Sequence, residues 1–321
     1  MTKFINLFIA IILLIGAFIL LNYHKRKQNP SFEAEQTIQT GFSRALHGDS
    51  VAIELVNDIP YILVSVNGRA ALPFILATSY VNCIYDKELA QLQDLQYLSE
   101  VDSQQTQADF VHQKPRAILK SVKIGTAEVQ NIPVELNDLD WTQKYLGQYA
   151  AGFIGYEFLK HFEVTLDFPA QMLRLASTDS VPYPTVQSDS LTVLPLLDLP
   201  NYNQHVFMNA IVNHKAIILA LDTMSRDGLL LEGTPDRYKP GVTFGGFEES
   251  TRYGRAHSIQ RGTIAHLHLG AVRVDNIPTQ FSCIVEPTAD LPYSNVLGMG
   301  ALKSLKLVLN YQKRQIIIEK G

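Results

Sequence analysis

Between residues 64 and 318 the chain runs through the same series of blocks twice, which restricts it to folds built from two like halves. Residues 64–79 read VSVNGRAALPFILATS and residues 209–225 read NAIVNHKAIILALDTMS. Each block opens as a strand, turns at Asn67-Gly68 or Asn213-His214, and continues as an apolar strand. Asn-Gly between alternating apolar residues is a strong hairpin signal. The second strands end at Ala77-Thr78-Ser79 and Asp222-Thr223-Met224, 145 residues apart. The same offset relates KSVKIGTAEVQNIPV (120–134) to AHLHLGAVRVDNIPT (265–279), which pairs Gly125 with Gly270. It then relates IGYEFLKHFEVTLDFPAQMLRL (154–175) to LGMGALKSLKLVLNYQKRQIII (297–318), with Gly155 and Gly298 now 143 apart. Three blocks in one order at nearly one offset place two similar lobes at 51–186 and 187–321.

Apolar spacing within each lobe is mostly that of strands. Short helices are predicted after Gly155 and Gly298, and the spacing of DKELAQLQDLQYL predicts another over 86–98. Each lobe therefore reads as a small mainly-β unit. A cleft between two such units is a common place for a ligand.

Ahead of the lobes, residues 4–23 hold no charged side chain. At 1.5 Å per residue such a run approaches the roughly 30 Å of a bilayer core. It is longer than the apolar region of a signal peptide and ends without a small-x-small cleavage site. Residues 1–23 are thus expected to be an uncleaved single-pass anchor, and residues 24–50 a polar linker. Lys3 precedes the span and Lys25, Arg26 and Lys27 follow it, a margin too narrow to fix the membrane side. Charged residues make up only 18% of the chain and the net charge is −4, which gives no electrostatic case for binding nucleic acid. Two cysteines, Cys83 and Cys283, rule out a disulfide scaffold and a four-cysteine zinc module. They are expected to be buried thiols.

With these blocks in hand, the chain resembles the pepsin/retropepsin-like aspartic peptidases in their duplicated, two-lobed form. The second lobe offers Leu219-Ala220-Leu221-Asp222-Thr223-Met224-Ser225 and then Asn295-Val296-Leu297-Gly298. The first offers Phe74-Ile75-Leu76-Ala77-Thr78-Ser79 and then Gly152-Phe153-Ile154-Gly155. The resemblance covers nearly all of residues 55–320. It implies an all-β fold of two similar β-barrel lobes with short helices, a catalytic Asp from each lobe, and a Thr beside each Asp that locks the two turns together. Two such carboxylates about 3 Å apart share one proton, one serving as base and the other as acid.

The chain departs from that pattern at the turns themselves. Ala77 stands where the first Asp belongs, and a methyl group carries no proton. Ser79 and Met224 replace the turn glycines, and Met224 is expected to crowd the site. Thr78 and Thr223 remain. Asp222 is left as a turn residue, a ligand contact or a catalytic group, and without a like-charged neighbour it is expected to be a plain carboxylate. The flap candidate is Gly245-Gly246-Phe247 through Tyr253; its first-lobe counterpart, residues 98–114, lacks Gly.

Other signals carry less. His266 and His268 share a strand face but match Ser121 and Lys123 of the other lobe, so they read as surface residues. Leu297-Gly298-Met299-Gly300 lacks the third Gly and the βαβ setting of a dinucleotide loop. Asp167 and Asn310 match each other and precede turns. No metal or cofactor is expected.

Two functions follow from this reading. One is a catalytically impaired peptidase homologue that holds an extended peptide in the inter-lobe cleft, by the strand-addition mode open to any β edge. The other is an active endopeptidase that uses Asp222 through homodimerisation or a non-standard second acid.

Overall fold

The computed structural model describes residues 50–93, 95–98, 115–178, 188–200, 202–252, 255–282 and 295–321. All of these belong to one compact unit, Ala45–Gly321. The expected anchor, the linker up to residue 49 and the expected lobe boundary at 186/187 lie outside the described residues. Among the described residues no helix is long and apolar enough to cross a membrane.

The first half contributes β1 (Ser50–Ala52), β2 (Glu54–Val56), β3 (Ile59–Val66), β4 (Leu72–Leu76), β5 (Cys83–Asp86), β6 (Gln96–Leu98), β7 (Arg116–Ile124), β8 (Ala127–Asn137), β9 (Gly152–Ile154), β10 (Glu163–Asp167) and β11 (Met172–Ala176). The second contributes β12 (Leu191–Pro195), β13 (Phe207–Val212), β14 (Lys215–Leu221), β15 (Leu229–Glu232), β16 (Val242–Arg252), β17 (Arg255–Leu269), β18 (Val272–Ser282), β19 (Val296–Leu297), β20 (Leu305–Asn310) and β21 (Gln315–Lys320). One sheet runs β2-β3-β4-β9-β5-β8-β7-β6 and a second runs β13-β14-β19-β15-β18-β17-β16. The first curls until β3 meets β7, with Val66 opposite Val122; the second curls until β13 meets β17, with Val212 opposite Leu267. Such closure gives each sheet a barrel-like shape, with β2, β6 and β16 lying beyond the closing pairs.

A third sheet, ordered β1-β11-β10-β20-β21-β12, draws on both halves. The halves meet at the β10–β20 pair, where Thr165 lies opposite Val308. These two residues correspond at the 143-residue offset. A groove of about 440 Å³ crosses this sheet's outer face, among Thr165, Arg174, Lys306 and Ile317.

Backbone conformation repeats with the sequence. Left-handed residues occur at Asn67 and Asn213, Gly125 and Gly270, Asn131 and Asn276, and Gln171 and Arg314. Asn and Gly tolerate that conformation best. Asp167 and Asn310 both act as turn residues: Asp167 Oδ1 accepts from Ala170 N–H and Asn310 Oδ1 from Lys313 N–H, each at 2.9 Å. The two leading hairpins differ, because β13 and β14 are joined by Asn213-His214 alone whereas β3 and β4 are joined by residues 67–71.

Among the described residues there are four short α-helices, α1 (Lys87–Gln91), α2 (Asp140–Leu146), α3 (Tyr156–Leu159) and α4 (Met299–Leu302), and one 3-10 turn over Pro235–Tyr238. The helix expected over 86–98 is confined to α1. Asp86 caps its start, accepting from the N–H groups of Glu88 and Leu89, while Gln96–Leu98 pairs with β7 instead. Pairing with a long neighbouring strand has overridden the helical spacing there. The Cys83 thiol is free and buried, and burial pushes it up to about 11; Cys283 lies outside the described residues.

Just ahead of β13, His205 is 3% exposed, packed near Tyr202 and Phe207, and its Nδ1 has no hydrogen-bond partner among the described residues. Burial lowers it from 6.5 to about 4. The native state therefore holds His205 neutral while the unfolded chain protonates it, so its contribution is full above pH 6.5 and is lost as pH falls toward 4. The His205→Phe variant is expected to lack that acid-side loss, roughly 2 kcal/mol between denaturant titrations at pH 7 and pH 4.5. Parallel pH dependences for the two proteins would refute it.

Candidate functional site

The two turns that follow β4 and β14 are held in the same way. Ala77 N–H donates to Ile154 O and Asp222 N–H to Leu297 O, each at 3.0 Å. Each strand end is thereby laid against the short strand that precedes α3 or α4. Glycine is needed after both short strands. A Cβ on Gly155 would lie 2.6 Å from Tyr80 O, and one on Gly298 would lie 2.4 Å from Asp227 O. Those contacts are closer than carbon and oxygen tolerate, so the turns pack on bare backbone.

Between the turns, Thr78 and Thr223 interlock. Thr78 N–H donates to Thr223 Oγ1 at 3.1 Å, and Thr223 N–H donates to Thr78 Oγ1 at 3.2 Å. Each hydroxyl then donates to the strand end of the other half: Thr78 Oγ1 to Leu221 O at 3.2 Å, and Thr223 Oγ1 to Leu76 O at 2.5 Å. Both threonines are buried. Four hydrogen bonds shielded from water, each joining residues more than 140 apart in sequence, fix one turn against the other.

Asp222 and Ala77 occupy equivalent places on either side of this lock. The Ala77 methyl is fully buried. Ser79 takes up the position beside it and reaches across the halves, donating from Oγ to Asp222 Oδ1 at 2.7 Å. Met224 N–H donates to the same oxygen at 2.8 Å. Met224 is half-buried and supports the carboxylate through its backbone N–H. The Ser79 contact was not foreseen. In sequence the exchange of Gly for Ser reads as a loss of turn freedom, and only the fold shows that the hydroxyl lands on the opposing carboxylate.

The environment of Asp222 also corrects the expectation of a plain carboxylate. Its group is packed among protein atoms although the residue keeps a part of its surface exposed. Burial raises its pKa above the ordinary 3.8, and the bonds from Ser79, Met224 and Ser225 offset that only in part. Desolvation thus acts in the direction that a second carboxylate would have acted. A raised native pKa means that the native state holds its proton more tightly than the unfolded chain. The resulting penalty is absent below about pH 4 and grows as pH rises through the native value. Asp222→Asn keeps an oxygen for Ser79 and Met224 and removes the charge. It is expected to raise the melting temperature at pH 7, at about 2–4 °C per kcal/mol, with no gain at pH 3. Equal melting temperatures at pH 7 would refute this.

The expected flap is a hairpin of β16 and β17 with a bulge between Phe244 and Gly246. Gly245, Gly246 and Phe247 lie in β16, and Tyr253 lies outside the described residues. The Phe244 and Phe247 rings are exposed and meet edge to face at 5.2 Å. Opposite Gly246, Arg261 forms an ion pair with Asp227 in the loop that follows Asp222. The hairpin base is therefore tied to the same turn. Most of the first-half counterpart lies outside the described residues.

His266 and His268 do not converge on a site. His266 Nδ1 lies 2.8 Å from Asp275 Oδ1, which also accepts from Arg273 Nε at 2.6 Å on the surface. Arg273 first and His266 second hold that carboxyl below its usual range. Among the described residues no three metal-ligating side chains cluster.

No family model matches the chain, and no curated protein matches it either. Among solved structures it is similar to the aspartic proteinase from Irpex lacteus, with a TM-score of 0.47 and 10% identity over 85% of this chain and 97% of that one.

Proposed function

We propose that this chain is an aspartic-peptidase-like protein that binds extended peptides over Asp222 without cutting them, held at a membrane by residues 1–23. The observation that carries this reading is the Ser79–Asp222 contact. Where the resemblance calls for two carboxylates sharing a proton, the chain presents one carboxylate and one hydroxyl, at 2.7 Å. A serine hydroxyl is too weak an acid to exchange a proton with Asp222 on each turnover, and Ala77 supplies nothing. What remains is the part of the apparatus that binds: a fixed pair of turns, a carboxylate on a partly exposed residue, and a hairpin with exposed aromatic rings. On this view 51–186 and 187–321 are two lobes of one binding unit.

The alternative of an endopeptidase that completes its dyad through a second copy meets an obstacle. To reach another chain's Asp222, each second half must leave the four buried bonds of its own Thr78–Thr223 lock. The deciding test uses the full chain in detergent, incubated with a diverse peptide mixture from pH 3 to 7 and read by mass spectrometry, with Asp222→Asn beside it. Peptides retained uncut are the expected result. Cuts that vanish in the Asn variant would overturn the reading in favour of an active enzyme.

A further inference from the structure

The ligand group that Asp222 receives can be read from what already surrounds it. Both side-chain hydrogen bonds of Asp222 among the described residues come from donors: the Ser79 hydroxyl and the Met224 N–H. Donors stabilise and orient the ionised form. No ion pair reaches Asp222 among the described residues, and Arg226 and Arg261 are engaged elsewhere. Arg226 donates to Tyr145 O at 3.0 Å, and Arg261 pairs with Asp227. The result is an oriented anion, largely stripped of water and uncompensated by a cation, on a residue that keeps part of its surface exposed. A carboxylate in that condition gains most from an incoming positive charge, because the charge replaces solvation that folding has removed.

Its geometry narrows the choice of cation. Oδ1 already accepts two hydrogen bonds, from Ser79 and Met224. A planar guanidinium binds a carboxylate best through both oxygens at once, and one of them is taken here. An ammonium group is a compact point charge and needs only the free side. The geometry points to Asp222 as the receptor for a primary ammonium group, a lysine side chain carried by the extended peptide. This rests on the peptide-binding reading above and assigns that site its ligand chemistry. Ser79 is then a positioning residue that sets lysine over arginine.

The test uses the full chain in detergent and three pools of degenerate octapeptides that carry a fixed central Lys, Arg or norleucine, with affinities measured by fluorescence anisotropy. The Lys pool is expected to bind about tenfold or more tighter than the norleucine pool, as a charge-assisted hydrogen bond would give. Asp222→Asn should abolish that difference, and Ser79→Gly, by removing one of the two donors to Oδ1, should bring the Arg pool closer to the Lys pool. The contrast between Lys and norleucine on the unaltered protein needs no variant to fold. Equal binding of the Lys and norleucine pools would overturn the inference and leave peptide binding standing. Failure of all three pools to bind would overturn the peptide-binding reading together with it.

Discussion

Ala77→Asp combined with Ser79→Gly and Met224→Gly is expected to turn this chain into an acid-active peptidase. Positions 77 and 222 have the same backbone frame, each donating its N–H to the strand before a short helix at 3.0 Å. A carboxylate at 77 would therefore enter from the side opposite Asp222. Ser79 has to change with it, because its hydroxyl now lies on Asp222 Oδ1, the oxygen that a second carboxylate would share. Met224 has to change because it holds the equivalent turn position in the other half. Two carboxylates about 3 Å apart titrate as a pair, so activity should rise to a maximum at acid pH and fall on either side. Gaining an acid–base partner is worth about 10²–10⁴ in rate, and the gain should disappear when Asp222→Asn is added. Cleavage of a quenched fluorescent peptide pool between pH 3 and 7 reads all of this. A folded triple variant that shows no acid maximum would mean that the backbone at position 77 no longer holds the geometry.

Thr223→Val should produce the largest loss of stability from one nearly isosteric change. Thr223 Oγ1 donates to Leu76 O and accepts from Thr78 N–H, and both partners are buried. Valine fills the same space and leaves that donor and that acceptor unpaired, at about 1–3 kcal/mol each, so the total loss is roughly 2–6 kcal/mol. Thr223→Ser keeps the hydroxyl and loses only a methyl group, roughly 1 kcal/mol. Denaturant titration of the two variants separates the hydrogen bonds from the packing. Equal losses in both would show that the methyl, not the hydroxyl, holds the halves together.

Much of this arrangement is legible in the sequence, for a physical reason. Turns that need left-handed backbone restrict residue choice, so Asn131 and Asn276, or Gly125 and Gly270, survive as a recurring pattern. Thr78 and Thr223 are visible in the same way, because each makes the same bonds in mirrored positions. What stays hidden is whatever depends on contacts between distant segments. The β10–β20 pair joins residues about 140 apart, and no local period announces it. The end of α1 is set by the pairing of Gln96–Leu98 with β7 rather than by helical spacing. The raised pKa of Asp222 follows from how closely protein packs around it, and the Ser79 contact follows from two halves facing each other.

The seam between β10 and β20 bears on how faithfully the halves choose each other. Glu163 lies opposite Asn310 and Asp167 opposite Lys306, so no like charges face across it. If two first halves met at the same seam, Glu163 would fall opposite Asp167 twice, a destabilising juxtaposition of like charges on one sheet face. Two second halves would set Lys306 against Asn310 and lose the opposite-charge match. The seam therefore carries its own mating rule: it rewards the unlike half and rejects a second copy of the same half.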